Sequence, residues 1–327
     1  MITKLDYNGI TSYINNLPLY NSFSHKHIFF RPDDNYNPLC INSIVFKNSM
    51  NKCDTESAGI ALPYFCENFE NLLSFDESVF SHHINFVGFI GSSSVRLPVL
   101  KSFLSNKNLV SEITVFDKFF FHTDTDSQQK HRELFISALR KSYLALCPAG
   151  TGKNSIRFFE TLSMGRIPVL ISDNCVLPFE NEINYDDFII RIDEKDAGVS
   201  SQIVEKWFTK NSFKQIKEKC KKARLVWEEY FTYNNALWYI FKSLQNIKKR
   251  SNSSEQLSKK EFGFTDYIKM AEDAKSEAEN HIKNNRVLDA MDCLIKANMI
   301  TGNQENVKKL VELKNTEMVK ELRNFTG

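Results

Sequence analysis

Over the first 250 positions, apolar residues come in short runs separated by polar, Gly- or Pro-containing breaks. Residues 26–31 (KHIFFR) and 41–47 (INSIVFK) read as short buried strands, and 59–64 (GIALPY) as another, ended by Pro63. Residues 84–91 (INFVGFIG) predict a further strand closed by Gly91. A helix follows over 95–106, with Pro98 tolerated in its first turn. Residues 112–121 (EITVFDKFFF) are extended and aromatic. A helix over 127–141 leads into strand 143–147, a Gly-containing turn, helix 155–164, Gly165 as its C-terminal cap, and strand 167–171 (IPVLI). Helices at 200–209 and 212–245 complete this part. Alternating strands and helices predict α/β layers, here two Rossmann-like lobes divided into residues 1–114 and 115–247.

The pattern changes after that. Residues 248–261 are charged and Ser-rich and read as a linker. In 262–327, Ile268, Ala271, Ala274, Ala278 and Ile282 recur at helical spacing. Asn284-Asn285 and Gly302-Asn303 break the run into three helices. The pair around VLDAMDCLIKANMI loosely resembles a tetratricopeptide unit. One such unit cannot bury a core alone, so this tail is expected to pack on the rest of the chain, a second copy or a protein partner.

The composition is that of a globular chain, with 42% hydrophobic and 25% charged residues over 327 positions, enough for two cores. The net charge of +2, from 42 basic and 40 acidic residues, gives no field that would make nucleic acid the default partner. The first thirty residues lack a basic segment followed by an apolar core, and no apolar run approaches the roughly 18–20 residues needed to span a bilayer. Seven scattered cysteines, without a CxxC pair, fit reduced thiols in a cytoplasmic protein rather than a zinc site.

The chemistry concentrates in 143–192. Gly150 and Gly152 allow close backbone approach, and a helix start follows at once. Free N–H groups and a positive helix end make such a place a site for an anion. CPAGTGKNS is not a phosphate-binding P-loop: Cys147 stands where the first glycine is needed, and Asn154 where Ser or Thr is needed. In Asn154-Ser155-x-Arg157-x-x-Glu160, Ser155 can cap the helix and donate to a phosphate. Arg157 offers a fork for a diphosphate, and Glu160 could accept from ribose hydroxyls. The same spacing also suits an Arg157–Glu160 surface pair. Asp124-Thr125-Asp126 could hold a divalent ion, or simply start the helix that follows. His82-His83 and His25-x-His27 lack a third ligand at useful spacing. Trp227, Tyr230, Phe231, Tyr233 and Trp238 read as packing residues.

At these residues the chain resembles the exostosin family of glycosyltransferases. That family carries a stretch of the form S-x-F-C-L-x-P-x-G, then S-x-R-x-x-E, G-x-I-P-V, S-D and L-P-F. Here it stands as Ser142 to Gly150, then Ser155, Arg157, Glu160, Gly165, Ile167-Pro168-Val169, Ser172-Asp173 and Leu177-Pro178-Phe179. Weaker echoes lie at 26–34, at 59–64, at Phe86-Val87-Gly88 with Arg96, and at 223–231, so the resemblance covers about 25–245.

The resemblance implies a GT-B architecture, two Rossmann-like lobes facing a cleft, with the nucleotide-sugar donor on the second lobe and the glycan acceptor on the first. It implies inverting transfer from a UDP-sugar, with Arg96, Arg157 and the helix N-terminus stabilising the leaving diphosphate and no metal cofactor required. Inversion also needs a general base, for which Asp34 and then Glu67 are the candidates. Gly150, Gly152, Asn154, Ser155 and Glu160 complete the expected donor site. The rival expectations are a metal-dependent transferase using Asp124 and Asp126, and a non-catalytic protein acting through its tail. An enzyme without an anchor would act from the cytoplasm, at the inner face of a membrane.

Overall fold

The computed structural model describes residues 12–17, 19–24, 27–32, 34, 43–52, 59–118, 124–252, 264–284, 286–301 and 303–326. The chain first builds a small parallel sheet from β1 (Ile28–Arg31), β2 (Ile44–Lys47) and, after the two-residue β3 (Met50–Asn51), β4 (Gly59–Ala61), in the order β1-β2-β4. A 3-10 connection then leads into the main sheet. Its strands are β5 (His82–Gly88), β6 (Ser111–Val115), β7 (Ser142–Pro148), β8 (Ile167–Ile171) and β10 (Ile190–Ile192), with β9 (Cys175–Val176) outside it. The order is β10-β8-β7-β5-β6, all parallel. Every residue of β7 and β8 is buried, as expected for strands covered on both faces.

Helices α1 (Arg96–Ser105), α2 (Thr125–Lys141), α3 (Ile156–Ser163), α4 (Ser200–Lys210) and α5 (Phe213–Val226) supply the cover. Leu97, Leu100 and Phe103 of α1, with Val204 and Ile216, pack against Phe86, Leu146 and Val169. Phe135, Ala138 and Leu139 of α2 pack against Val87 and Ala145. Phe158, Phe159 and Leu162 of α3 meet Trp227 and Phe231. Gly165 ends α3 with φ +63°, the cap its sequence predicts, and a Cβ there would lie 2.9 Å from the Phe75 ring. Ser212 and Gln215 close a reciprocal capping box at the start of α5.

Mixed α/β layers with parallel sheets are present as expected, but the expected division after residue 114 is not where the structure divides. β5 and β6 belong to the same sheet as β7, so that sheet runs across the boundary and begins at His82. Sequence marks strands but not their pairing. The three-residue β10 is an addition to the expected strands. The long helical run breaks at Thr232, whose backbone is extended, between a π-helical turn and α6 (Tyr233–Asn252). The first part of the expected linker, 248–252, is thus helical, and 253–261 lie outside the described residues.

The two sheets are joined by β3, which pairs antiparallel with β9. The three helices of the tail are α7 (Phe264–Lys283), α8 (Val287–Thr301) and α9 (Gln304–Thr326). α7 packs on α8, and α8 and α9 dock on the main sheet's own cover. Met318, Val319 and Leu322 of α9 enter the same core as α1. Asn315, fully buried, accepts from Ile90 N (3.1 Å) and Gly91 N (2.9 Å) and donates to the carbonyls of Phe116 (3.3 Å) and Asp117 (2.8 Å). Buried Lys314 pairs with Asp292, whose other oxygen accepts from Ser94 N. Among the described residues, no helix is long and apolar enough to cross a membrane.

Candidate functional site

In the main sheet the chain order runs outward in opposite directions from the β5–β7 neighbours. The crevice at the C-terminal ends of such a pair is where an open α/β sheet has room for a ligand. Gly88 and Pro148 mark those ends. Into this place come the turn after β7, the start of α3, the first residue of α1, and Asp34 from the small sheet's side.

Arg96 is nearly buried, 8% exposed. Its Nη1 donates to Phe89 O (2.6 Å) and its Nε to Ala149 O (3.2 Å). Its Nη2 lies 2.6 Å from where a Cβ on Gly150 would be, so a side chain there would displace the guanidinium. Arg157, the second residue of α3, donates through Nη2 to Val87 O (2.7 Å), and its guanidinium lies over the Phe86 ring at 4.8 Å. Gly88 leaves room for it, since a Cβ there would be 2.4 Å from Nη2. Burial pushes the Arg96 guanidinium down to about 9, with the neighbouring charge of Arg157 acting the same way and Asp34 opposing. Burial likewise lowers Arg157. Among the described residues neither arginine forms an ion pair, so both cations rest on carbonyl dipoles. The Oγ atoms of Ser92 and Ser155 and the Nε of Arg157 are buried without a hydrogen-bond partner. Ser155 starts α3 in extended conformation but does not spend its hydroxyl on the cap. An anion with several acceptor oxygens would satisfy these groups together.

Asp34 lies over the turn: its Oδ1 accepts from Tyr64 Oη at 2.9 Å and would be 2.3 Å from a Cβ on Gly152. Ser49 holds the same turn by accepting from Lys153 N. Asn154 is a scaffold residue. Its Oδ1 accepts from Ser155 N and its Nδ2 donates to Asn48 O. Lys153 is tied to Glu194 at 2.6 Å, away from the role of a P-loop lysine.

Glu160 and Glu67 converge instead on Arg132 of α2. Arg132 pairs with Glu160 through Nη1 and with Glu67 through Nη2 (2.9 Å). The alternative Arg157–Glu160 surface pair does not form, and Glu67, the second candidate for a general base, is held by Arg132. Arg132 escaped the sequence reading because, on a polar helix, it looks like one more solvated charge. Its two carboxylate partners lie far away in sequence.

Asp124 caps α2, accepting from Ser127 N (2.9 Å) and Ser127 Oγ (2.8 Å). These bonds, backbone first, lower its carboxyl below the usual range. His82 and His83 sit at the opposite end of β5, beside Glu112 and accepting from Val110 N. Trp227 and Phe231 are core residues, whereas Tyr233 and Trp238 are exposed.

A family model for the Exostosin GT47 domain matches residues 81–207, which span the whole main sheet. The chain is 31% identical over 126 residues to the "Exostosin-1 homolog" of Caenorhabditis elegans, covering 37% of this chain and 32% of that protein. It is 30% identical over 127 residues to "Exostosin-1" of Drosophila melanogaster, covering 39% and 16%. It is 25% identical over 173 residues to a "Probable glucuronosyltransferase" of Oryza sativa subsp. japonica, covering 52% and 37%. The matches thus span between 16% and 37% of the length of these relatives. Over this segment the chain is similar to the exostosin-like glycosyltransferases.

Proposed function

We propose that this protein is a glycosyltransferase that takes a sugar from a nucleoside diphosphate donor, UDP by preference, and passes it to a glycan hydroxyl with inversion. The observation that carries the reading is the pair of buried guanidiniums, Arg96 and Arg157, at the sheet's reversal point, which among the described residues form no ion pair and feel Asp34 and Glu160 only from beyond ion-pairing distance. A buried charge so weakly compensated is unfavourable unless a ligand completes it. The similarity of residues 81–207 to exostosin-type domains supports the choice of ligand.

In this reading the diphosphate lies against the Gly150–Gly152 turn and the N-terminus of α3. Arg157 and Ser155 are on one side, Arg96 and Ser92 on the other. As the bond to the anomeric carbon breaks, negative charge builds on the leaving diphosphate. These donors stabilise that charge without needing to reorganise. Asp34, placed over Gly152, is the candidate base that takes the acceptor's proton. Glu160 acts as part of the Arg132 bridge, reaching the nucleotide only if that bridge opens. The small sheet carrying Tyr64 and Asp34 corresponds to a reduced acceptor lobe of a GT-B pair. No metal is assigned to the donor site in this reading; Asp124 caps α2, and the rival in which Asp124 and Asp126 hold a divalent ion is decided by the EDTA arm of the experiment below.

Calorimetric titration with UDP, GDP, CDP and ADP, with and without EDTA, tests this. UDP-selective binding that persists in EDTA is expected. Binding that requires metal would overturn the metal-free assignment, and absence of nucleotide binding would overturn the function.

A further inference from the structure

Outside the crevice, the chain assembles a second group of chemically active side chains in its tail. Helices α7 and α8 pack closely because their seam is made of alanines: Ala271, Ala274 and Ala278 face Ala290 and Ala297, all buried. Small seam residues let the backbones approach, and longer side chains at the same level are then forced together. Glu277 and His281 are one turn apart on α7 and share a face. Residues 281 and 277 lie as far before position 285, in the connection, as 289 and 293 lie after it. In an antiparallel hairpin this sets Asp289 level with His281 and Cys293 level with Glu277. The structure shows the result: one donor atom each from Glu277, His281 and Cys293, all within 4.8 Å of one another.

The imidazole of His281 is mostly covered, and its Nδ1 is buried with no hydrogen-bond partner. Its Nε2 lies 3.9 Å from Glu277 Oε1, beyond hydrogen-bonding distance. A shielded imidazole in this state lacks the partner that a buried ring nitrogen normally finds. Imidazole, thiolate and carboxylate together form the donor set of a borderline divalent transition ion. Neighbouring donors of a tetrahedral zinc site are about 3.5 Å apart. Glu277 is exposed and free to adjust its rotamer, and small rotations of His281 and Cys293 would bring the rest of the set to that spacing.

We propose that the α7–α8 hairpin binds one zinc-like divalent ion through Glu277, His281 and Cys293, with Asp289 or water in the fourth position. Asp289 now faces Arg286 at 3.8 Å, a weak exposed contact that it can give up. The sequence argued against zinc because it has no CxxC pair. The donors are instead spread over two helices and meet only when the hairpin forms. The ion would fasten α7 to α8 at a place separate from the crevice.

The test uses the full-length protein, stripped with a chelator, dialysed and titrated with cobalt(II). One equivalent should bind and give tetrahedral d–d bands in the visible, with a thiolate charge-transfer band in the near ultraviolet. Zinc should displace it. Cys293→Ser should remove the charge-transfer band. His281→Gln and Glu277→Gln should each weaken affinity at least tenfold. Glu277 is exposed, so its variant keeps the fold even if His281→Gln disturbs it. No saturable cobalt binding, or the same spectrum and affinity in Cys293→Ser and Glu277→Gln, would overturn the proposal.

Discussion

Replacing Asn315 by alanine is a direct test of how the tail and the sheet depend on each other. The side chain makes four hydrogen bonds, to the N–H groups of Ile90 and Gly91 and the carbonyls of Phe116 and Asp117. Truncation leaves all four without that partner. A buried polar group left unpaired costs about 1–3 kcal/mol. The carbonyls each retain a second lone pair for other donors, so the two amides dominate and the expected loss is about 3–5 kcal/mol. That is a large part of the 5–15 kcal/mol typical of a folded domain. Gly91 cannot compensate by moving closer, because a Cβ there would already be 2.2 Å from that of Asn315. The assay is urea denaturation of wild type and variant, with hydrogen exchange read at Ile90 and Gly91. Those amides should lose protection more than the centre of β7. A loss below about 1 kcal/mol, with protection unchanged, would refute the view that this carboxamide secures the loop. Phe89, Ser92 and Ser93 of the same loop surround Arg96, so nucleotide affinity should fall too.

Arg157→Ala should weaken UDP binding by roughly 1.5–3 kcal/mol, the range for a charge-assisted hydrogen bond, and calorimetry on the folded variant checks it. Unchanged affinity would remove Arg157 from the donor site. Gly152→Ala drives a methyl into Asp34 and Ser49. Transfer rate should fall at least tenfold while UDP affinity changes much less, and equal losses would count against placing Asp34 on the acceptor side. Asp124→Asn should leave UDP binding with and without EDTA as in wild type, since that carboxylate caps a helix. The wild-type carboxyl is lowered in the fold, so its contribution is complete above the ordinary aspartate pKa of about 4 and is lost as pH falls through the folded value. Melting curves of the two proteins should therefore converge on acidification. A gap that widens would contradict the capping role.

The elements of the main sheet were legible because each is a run with a clear period and a clear stop, as at Gly165. β10 was not, since the alternation Ile190-Arg191-Ile192 is too short to distinguish a strand. The membership of β5 and β6 was misjudged because pairing depends on which faces meet after the chain folds back. At the site, Gly150, Gly152, Ser155 and Arg157 were singled out by residue type and spacing, and Asp34 lies over Gly152. The Arg132 bridge had no local signal. Asn315 had one that went unread: the apolar stripe Val307, Val311, Met318, Leu322 is interrupted by Lys314-Asn315, polar residues where the core continues. A polar residue within an apolar stripe marks a specific buried partner.

The bond between Asn315 and Ile90 joins positions 225 apart in the chain. At a ribosomal rate of about 5–20 residues per second, that separation is roughly 10–45 s of synthesis. Throughout that interval β5, its loop and the rest of the sheet can assemble, yet the amides of Ile90 and Gly91 have no carboxamide to bind. The loop beside the crevice therefore gains its anchor last, after the residues that line the crevice have been made. A nascent chain halted before α9 should contain Arg96, Arg157 and Asp34 and still lack the anchor of the loop beside them.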